Sequence, residues 1–300
     1  MEQNTQSTPT PGRNRSTVES ICFLRGDWIY LKNLSDGTET RLTKGAGPEL
    51  SPTGEHLVFH AVKDEDSITD RLIPPPGRLR ILNVRTKAIS EFEQFRNVRV
   101  GAATWSNDGS RLAIWTASKD RKTPSIVIFN LSARNVEKEI TTEGMPLDGG
   151  LFLDAWTPSD VSILFHTLGG LYEVDIADGT IQKLPVDDLF KSGQITSATR
   201  FSFSSDRRYL LFDKMIDSPD EPAMQVISLL ELSTKTIRRV SPTGVRGRAP
   251  VWLPSDQEIL FSRVEWLNEK WTASICRIAL DGNGLTTLAR DADSVSYSTR

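Results

Sequence analysis

Apolar and polar positions along this chain recur in a unit of about fifty residues. Its first half is an aromatic or apolar residue, a turn of Ser, Pro, Asp or Gly type, then a short apolar run ending in an aromatic. The copies are Leu50-Ser51-Pro52-Thr53-Gly54 with Leu57-Val58-Phe59, Trp105-Ser106-Asn107-Asp108-Gly109 with Leu112-Ala113-Ile114-Trp115, and Trp156-Thr157-Pro158-Ser159-Asp160 with Ile163-Leu164-Phe165. Two more are Phe203-Ser204-Ser205-Asp206 with Leu210-Leu211-Phe212, and Trp252-Leu253-Pro254-Ser255-Asp256 with Ile259-Leu260-Phe261. The residues after the first aromatic position stand at 51, 106, 157, 204 and 253, a regular period. Repeats of this length decide an architecture before any single element does.

The second half of each unit, such as 28–43, 126–141 or 225–240, alternates apolar and polar residues around a tip like Ser35-Asp36-Gly37 or Asp178-Gly179. Period-two alternation broken by residues that tolerate tight-turn backbone angles predicts a β-hairpin. Each unit is then two hairpins, four antiparallel strands. One such sheet buries too little surface to stand alone, and packing the units radially protects their edges. The repeated aromatics, Trp105, Trp156, Phe203, Trp252, Phe59, Phe165, Phe212 and Phe261, are expected between blades. Six second halves accompany five first halves. The sixth is split: 20–24 supplies the apolar run, with Phe23 matching Phe59, and 295–298 the preceding strand, with Tyr297 matching Trp105. The expectation is an all-β, six-bladed β-propeller of four-stranded antiparallel blades. A carboxy-terminal strand pairing with the amino-terminal strands closes it.

Those turns, each followed by an apolar run ending in an aromatic, resemble the TolB-like propeller family, with its PD40 or WD40-like repeats. The resemblance covers about residues 20–300 and implies the fold; its motif carries little about function. The family's Asp-Gly turn reads here as Thr53-Gly54, Ser159-Asp160, Asp206-Arg207 and Ser255-Asp256 in four of the five copies.

Composition narrows the partners. Thirty-six Lys and Arg against 39 Asp and Glu give a net charge of −3, which argues against nucleic acid as a general partner. No run approaches the ~18 apolar residues of a spanning helix. Residues 1–19, rich in polar residues and proline, predict a disordered leader before a propeller over 20–300. They contain no apolar stretch of the secretory kind, so a cytoplasmic protein is expected, or a periplasmic one if the sequence is truncated; a monomer is expected as well. Cys22 and Cys276 fall in different blades, and no disulfide is expected.

Catalytic signatures are missing: there is no Gly-x-Ser-x-Gly elbow, Walker A loop or Gly-x-Gly-x-x-Gly. His60 and His166 share one repeat position with Trp115, Asp213 and Ser262. They read as an acid/base or metal site, or as polar strand ends meeting water; His60 and His166 are two blades apart, too far for ~2 Å ligand bonds to one ion. Longer connections, 61–78, 116–124, 186–194, 214–222 and 263–270, belong to one face, where binding surfaces usually form. Trp266 and Trp271 there are interface-type residues. Arg96, Arg99, Arg246 and Arg248, in interblade connections near the channel mouth, suit a carboxylate-bearing ligand. Asp64-Glu65-Asp66 and the acidic run 217–221 have oxygen ligands of the Ca²⁺ type but read as solvated charge. No cofactor or metal is expected. The reading is a non-catalytic scaffold that binds a protein or peptide on the long-loop face or in the axial channel. Alternatives are a carbohydrate-active enzyme resembling oligogalacturonate lyases, built on His60, His166 and channel-mouth carboxylates, and a small-ligand sensor.

Overall fold

A computed structural model describes residues 19–66, 75–117, 124–145, 150–218 and 221–299. Apart from Glu19, the expected leader lies outside them.

The first three strands are β1 (Glu19–Arg25), β2 (Trp28–Asn33) and β3 (Glu39–Lys44). Blade 2 is β4 (Ala46–Leu50), β5 (His56–His60), β6 (Leu79–Asn83) and β7 (Ile89–Glu91). Blade 3 is β8 (Arg99–Trp105), β9 (Arg111–Ala117), β10 (Ser125–Asn130) and β11 (Asn135–Thr141). Blade 4 is β12 (Phe152–Trp156), β13 (Ser162–Thr167), β14 (Gly170–Asp175) and β15 (Ile181–Lys183). Blade 5 is β16 (Phe201–Phe203), β17 (Tyr209–Ser218), β18 (Glu221–Glu231) and β19 (Thr236–Arg239). Blade 6 is β20 (Gly247–Trp252), β21 (Glu258–Leu267), β22 (Lys270–Ala279) and β23 (Thr286–Arg290). The last strand, β24 (Asp293–Thr299), returns to β1 and gives blade 1 the order β24-β1-β2-β3. Ile21 stands opposite Tyr297, and Ser20 opposite Ser298. The Tyr297 hydroxyl donates to Glu19 at 3.0 Å. The ring closes as expected.

The second strand of each blade is an unbroken apolar run because both its faces are buried, and period two sends alternate residues to opposite seams. Leu57 and Phe59 face blade 1 while Val58 faces blade 3. Ile163 and Phe165 face blade 3, Leu164 faces blade 5. Ile259 and Phe261 face blade 5, Leu260 faces blade 1. The core is six seam clusters, one for each pair of neighbouring blades. Most of the repeated aromatics are buried there; Trp252 stays partly exposed against the blade 5–6 cluster.

The inner-strand tryptophans also clasp the preceding blade. Trp105 Nε1 donates to the Glu49 carbonyl at 2.9 Å, Trp156 to Thr104 at 3.0 Å and Trp252 to Ser202 at 3.2 Å. Each acceptor immediately precedes the equivalent position one blade back.

Two faces follow from the strand order. Tips joining the first to the second strand and the third to the fourth lie on one, the tip face. Tips joining the second to the third, and the blade connections, lie on the other, the loop face.

Candidate functional site

Period two explains what becomes of the strand position shared by His60, Trp115, His166, Asp213 and Ser262. Each follows a residue facing the preceding blade, so its side chain turns to the next blade. His60 Nε2 lies 2.8 Å from the Gly101 carbonyl on β8. His166 Nε2 lies 3.1 Å from the Thr196 carbonyl, which leads into blade 5, and its Nδ1 lies 2.8 Å from Asp154 Oδ2 on β12. Asp213 Oδ1 accepts from the Arg200 amide at 3.1 Å and from the Ala249 amide of blade 6 at 3.3 Å; Oδ2 accepts from Gln225 at 3.0 Å. Trp115 lies over Gly101, where a Cβ would stand only 2.5 Å from the indole. His60, His166, Asp213 and Ser262 are all buried. The expectation of polar strand ends meeting water is therefore corrected: these groups are bonded or buried at the blade seams. The structure does not bring His60 and His166 together.

Charged groups lie on and beside the inner strands, Glu49 at the tip-face end of β4 and Arg200, Arg248 and Arg99 at the loop-face ends of β16, β20 and β8. Glu49 on β4 has its carboxyl pushed up to about 7 by desolvation, a shift opposed by Arg200. Arg200 precedes β16 in blade 5, opposite blade 2, so its field reaches across the axis. Burial raises Asp213 to about 6 against the amides and the Arg200 charge that favour its ionised form. Arg248, on β20, pairs with Asp293 on β24. Arg99 is exposed at the start of β8. Arg96 pairs with Glu93 at 2.7 Å. The four predicted arginines thus do not form one cluster: Arg96 and Arg99 flank blade 3, while Arg246 and Arg248 belong to blade 6 across the ring.

Two of the predicted loops, 214–222 and 263–270, are corrected: 214–218, 221–222, 263–267 and 270 are strand, while 219–220 lie outside the described residues. Their hydrogen-bond ladders run on into β17 and β18, and into β21 and β22. The β21–β22 hairpin turns through Asn268 and Glu269, at φ 50° and 60°, directly after the Leu267–Lys270 pair. This is the two-residue turn whose twist matches its strands. Trp266 and Trp271 stand directly opposite one another, edge to face with ring centroids 5.1 Å apart. They remain 57% and 56% exposed. Arg246 stacks on Trp271 at 4.5 Å and donates to the Ala223 carbonyl of blade 5 at 3.2 Å. Two aromatics and a guanidinium are thereby held against one another on the loop face.

Asp64 pairs with Lys44, Glu65 with Lys63, and Asp66 with Arg78 at 2.7 Å. Part of the 217–221 run lies outside the described residues. Among the described residues no group of three or more His, Cys, Asp or Glu side chains is placed to hold a metal. Sequence reasoning passed over Glu49, Asp154 and Arg200. Their signal was a charge at inner-strand or strand-entry positions where sister blades carry small or apolar residues.

This is a closed six-bladed propeller with short, cross-linked tips on one face and extended hairpins on the other, the architecture of a TolB-like β-propeller. No family model matches the sequence, and no curated protein matches it. Among solved structures, TolB from Acinetobacter baumannii superposes with a TM-score of 0.67 at 14% identity, over 93% of this chain and 66% of that one. A protein assigned as TolB from Agrobacterium tumefaciens gives 0.62 at 15% identity, over 92% and 90%. The β-propeller domain of the Trilobed protease from Pyrococcus furiosus, described as having an open velcro topology, gives 0.54 at 12%, over 87% and 74%. Here the velcro is closed. At these identities the likeness is one of fold. The chain spans 66% of the length of the Acinetobacter protein. No helix among the described residues is long and apolar enough to cross a membrane.

Proposed function

We propose that this propeller is a non-catalytic scaffold that docks a carboxylate-bearing peptide or protein segment on its loop face, beside the axial mouth. The observation that carries the reading is the hairpin presenting Trp266 and Trp271 with Arg246 stacked against the pair. Large aromatics held with few free torsions give contact area at low entropic cost, and guanidinium groups bind carboxylates in two-point fashion. Arg99, Arg200 and Arg248 at the mouth extend the same preference. The carbohydrate-enzyme reading rests on His60 and His166, whose Nε2 atoms both face backbone carbonyls, and gains no support from them. A monomer over residues 20–300 belongs to the proposal. So does a cytoplasmic location, with which the two free, buried thiols are compatible.

A displayed library of random peptides, selected against the full chain, tests this. Enrichment of acidic peptides that is lost with Trp266→Ala and with Arg246→Glu is expected. Enrichment unchanged by both substitutions would remove the loop face from consideration.

A further inference from the structure

The two histidines at the shared strand position differ in how many protons their surroundings demand. His60 faces one acceptor, the Gly101 carbonyl, and its Nδ1 has no partner. Burial lowers its pKa, and a neutral ring with its proton on Nε2 satisfies the contact. His166 faces two acceptors. A backbone carbonyl can only accept, and Thr196 supplies one at Nε2. At Nδ1 stands Asp154 Oδ2, while Asp154 Oδ1 already accepts the Phe201 amide at 3.1 Å. Both side chains are fully buried, so no exposed surface lets solvent relieve a mismatch.

A neutral imidazole carries one N–H, and an ionised carboxylate carries none. With that proton count, one of the two contacts sets lone pair against lone pair in a dry seam, an arrangement that is costly. Both contacts are satisfied only when the pair holds a second proton, on Nδ1 as an imidazolium or on Asp154 Oδ2 as an acid donating to Nδ1.

We propose that Asp154 and His166 share two protons when the seam is closed, forming a proton-dependent latch between blades 4 and 5. When base takes one proton to solvent, the remaining one is drawn to the carboxylate contact, and the Thr196 carbonyl loses its donor. The segment so released, 190–200, forms one wall of a cleft of about 220 Å³ lined by His166, Thr167, Leu168, Phe190, Lys191 and Phe201. Its other hydrogen bonds to neighbouring elements are few: the Gln194 carbonyl accepts the Met215 amide at 2.9 Å, and the Arg200 amide donates to Asp213; Phe190 also packs edge-on against Phe201 and Phe212. The charged and titratable groups on the elements around His166 are Asp154 on β12, Tyr172, Glu173 and Asp175 on β14, Asp188, Lys191 and Arg200 on the connection, and Tyr209, Asp213, Lys214 and Asp217 on β17. Of these, only Asp154 has a hydrogen bond to the ring. The latch is independent of whether a peptide docks on the loop face.

Amide hydrogen exchange of the full chain tests it, across the range of about pH 5 to 8 where histidine titrates. After correction for intrinsic rates, protection of residues 190–200 should fall about tenfold as pH rises, the scale of one hydrogen bond to a charged group. Protection near Gly101, clasped by His60, should stay level. Asp154→Asn supplies an isosteric control: its NH₂ donates to Nδ1 of a neutral ring, its oxygen still accepts from Phe201, and Nε2–H still serves Thr196. That variant should keep the segment protected at every pH. A flat wild-type profile, or a variant that loses protection as the wild type does, overturns the proposal. Should the variant fail to fold, ring ¹⁵N shifts of wild-type His166 decide the matter: a proton leaving the pair together with the protection supports the latch. Loss of protection with no change at the ring overturns it.

Discussion

The two faces are made from the same repeat and held in opposite ways. On the tip face the five first-half turns share one backbone pattern, and their fourth residue is left-handed: Gly54, Gly109, Asp160, Arg207 and Asp256, at φ between 52° and 72°. Side chains at this position cost about 1 kcal/mol of backbone strain. Here they offset it by reaching a neighbour. Asp160 accepts from Asn107 N at 2.8 Å, Asn107 Nδ2 at 2.7 Å and Asp108 N at 3.1 Å of blade 3. Arg207 grips Glu173 of blade 4 through two bonds of 3.1 and 2.7 Å. Asp256 accepts the Ser205 amide of blade 5 at 2.8 Å. Three of the four departures from an Asp-Gly turn are therefore staples running from blade 3 to blade 6. The loop face has long hairpins in blades 5 and 6 and exposed tryptophans. One face holds the ring together; the other is free to vary.

Substitutions on each face should separate these roles. Trp156→Ala removes a seam filler and the clasp to Thr104, and should cost about 3–5 kcal/mol in denaturant unfolding. Trp266→Ala on the loop face should cost under about 1 kcal/mol, the worth of a cross-strand pair. Equal losses would mean that the Trp266–Trp271 pair is structural and the comparison fails.

Asp160→Ala should cost about 2 kcal/mol, since it strips three donors and keeps the left-handed backbone; Asp160→Gly should cost less, because it relieves the strain. Unfolding curves of the two give the order. A smaller loss for alanine than for glycine would show that the staple does not act through the bonds described.

Glu49→Gln should act in the opposite sense. The folded carboxyl titrates near 7 instead of 4.5, so between those values the folded state binds more protons than the unfolded one. Its contribution to stability is present at low pH and is lost as pH rises through about 7. Asp213, raised from 3.8 to about 6, acts likewise over a lower window. The Gln variant should gain about 1–2 kcal/mol at neutral pH and nothing near pH 4. A gain independent of pH would dismiss the carboxyl as its source.

The smallest effect is expected at the hairpin tip. Glu269→Gly relieves φ 60° and should stabilise by about 0.5–1 kcal/mol without altering peptide selection. A change in selection would place the tip inside the docking surface.

The ring, its count of blades and its closure were legible because they rest on periodic chemistry: an aromatic, a turn, an apolar run, repeated, with its missing piece divided between 20–24 and 295–298. The loops were less so. In the predicted loops the polar residues read as loop, yet 214–218 and 221–222, and 263–267 with 270, extend the ladders of β17–β18 and β21–β22, because hydrogen bonding along a hairpin does not require apolar side chains. His60 and His166 were recognisable as equivalent positions, but not as buried. Burial there depends on which face of the strand meets the next blade.

The order of residues alone determined the number of blades, the strand alternation and the split closing blade, since local turn preference and period-two burial need no distant partner. Which side chains meet was settled only when the blades closed into a ring. Arg200 came to face Glu49 across the axis, Asp154 and His166 were enclosed in a dry seam with Thr196, and the predicted arginines were divided between opposite sides. Hydrogen bonds and charges act over short distances, and residues far apart along the chain come near one another only through the tertiary fold.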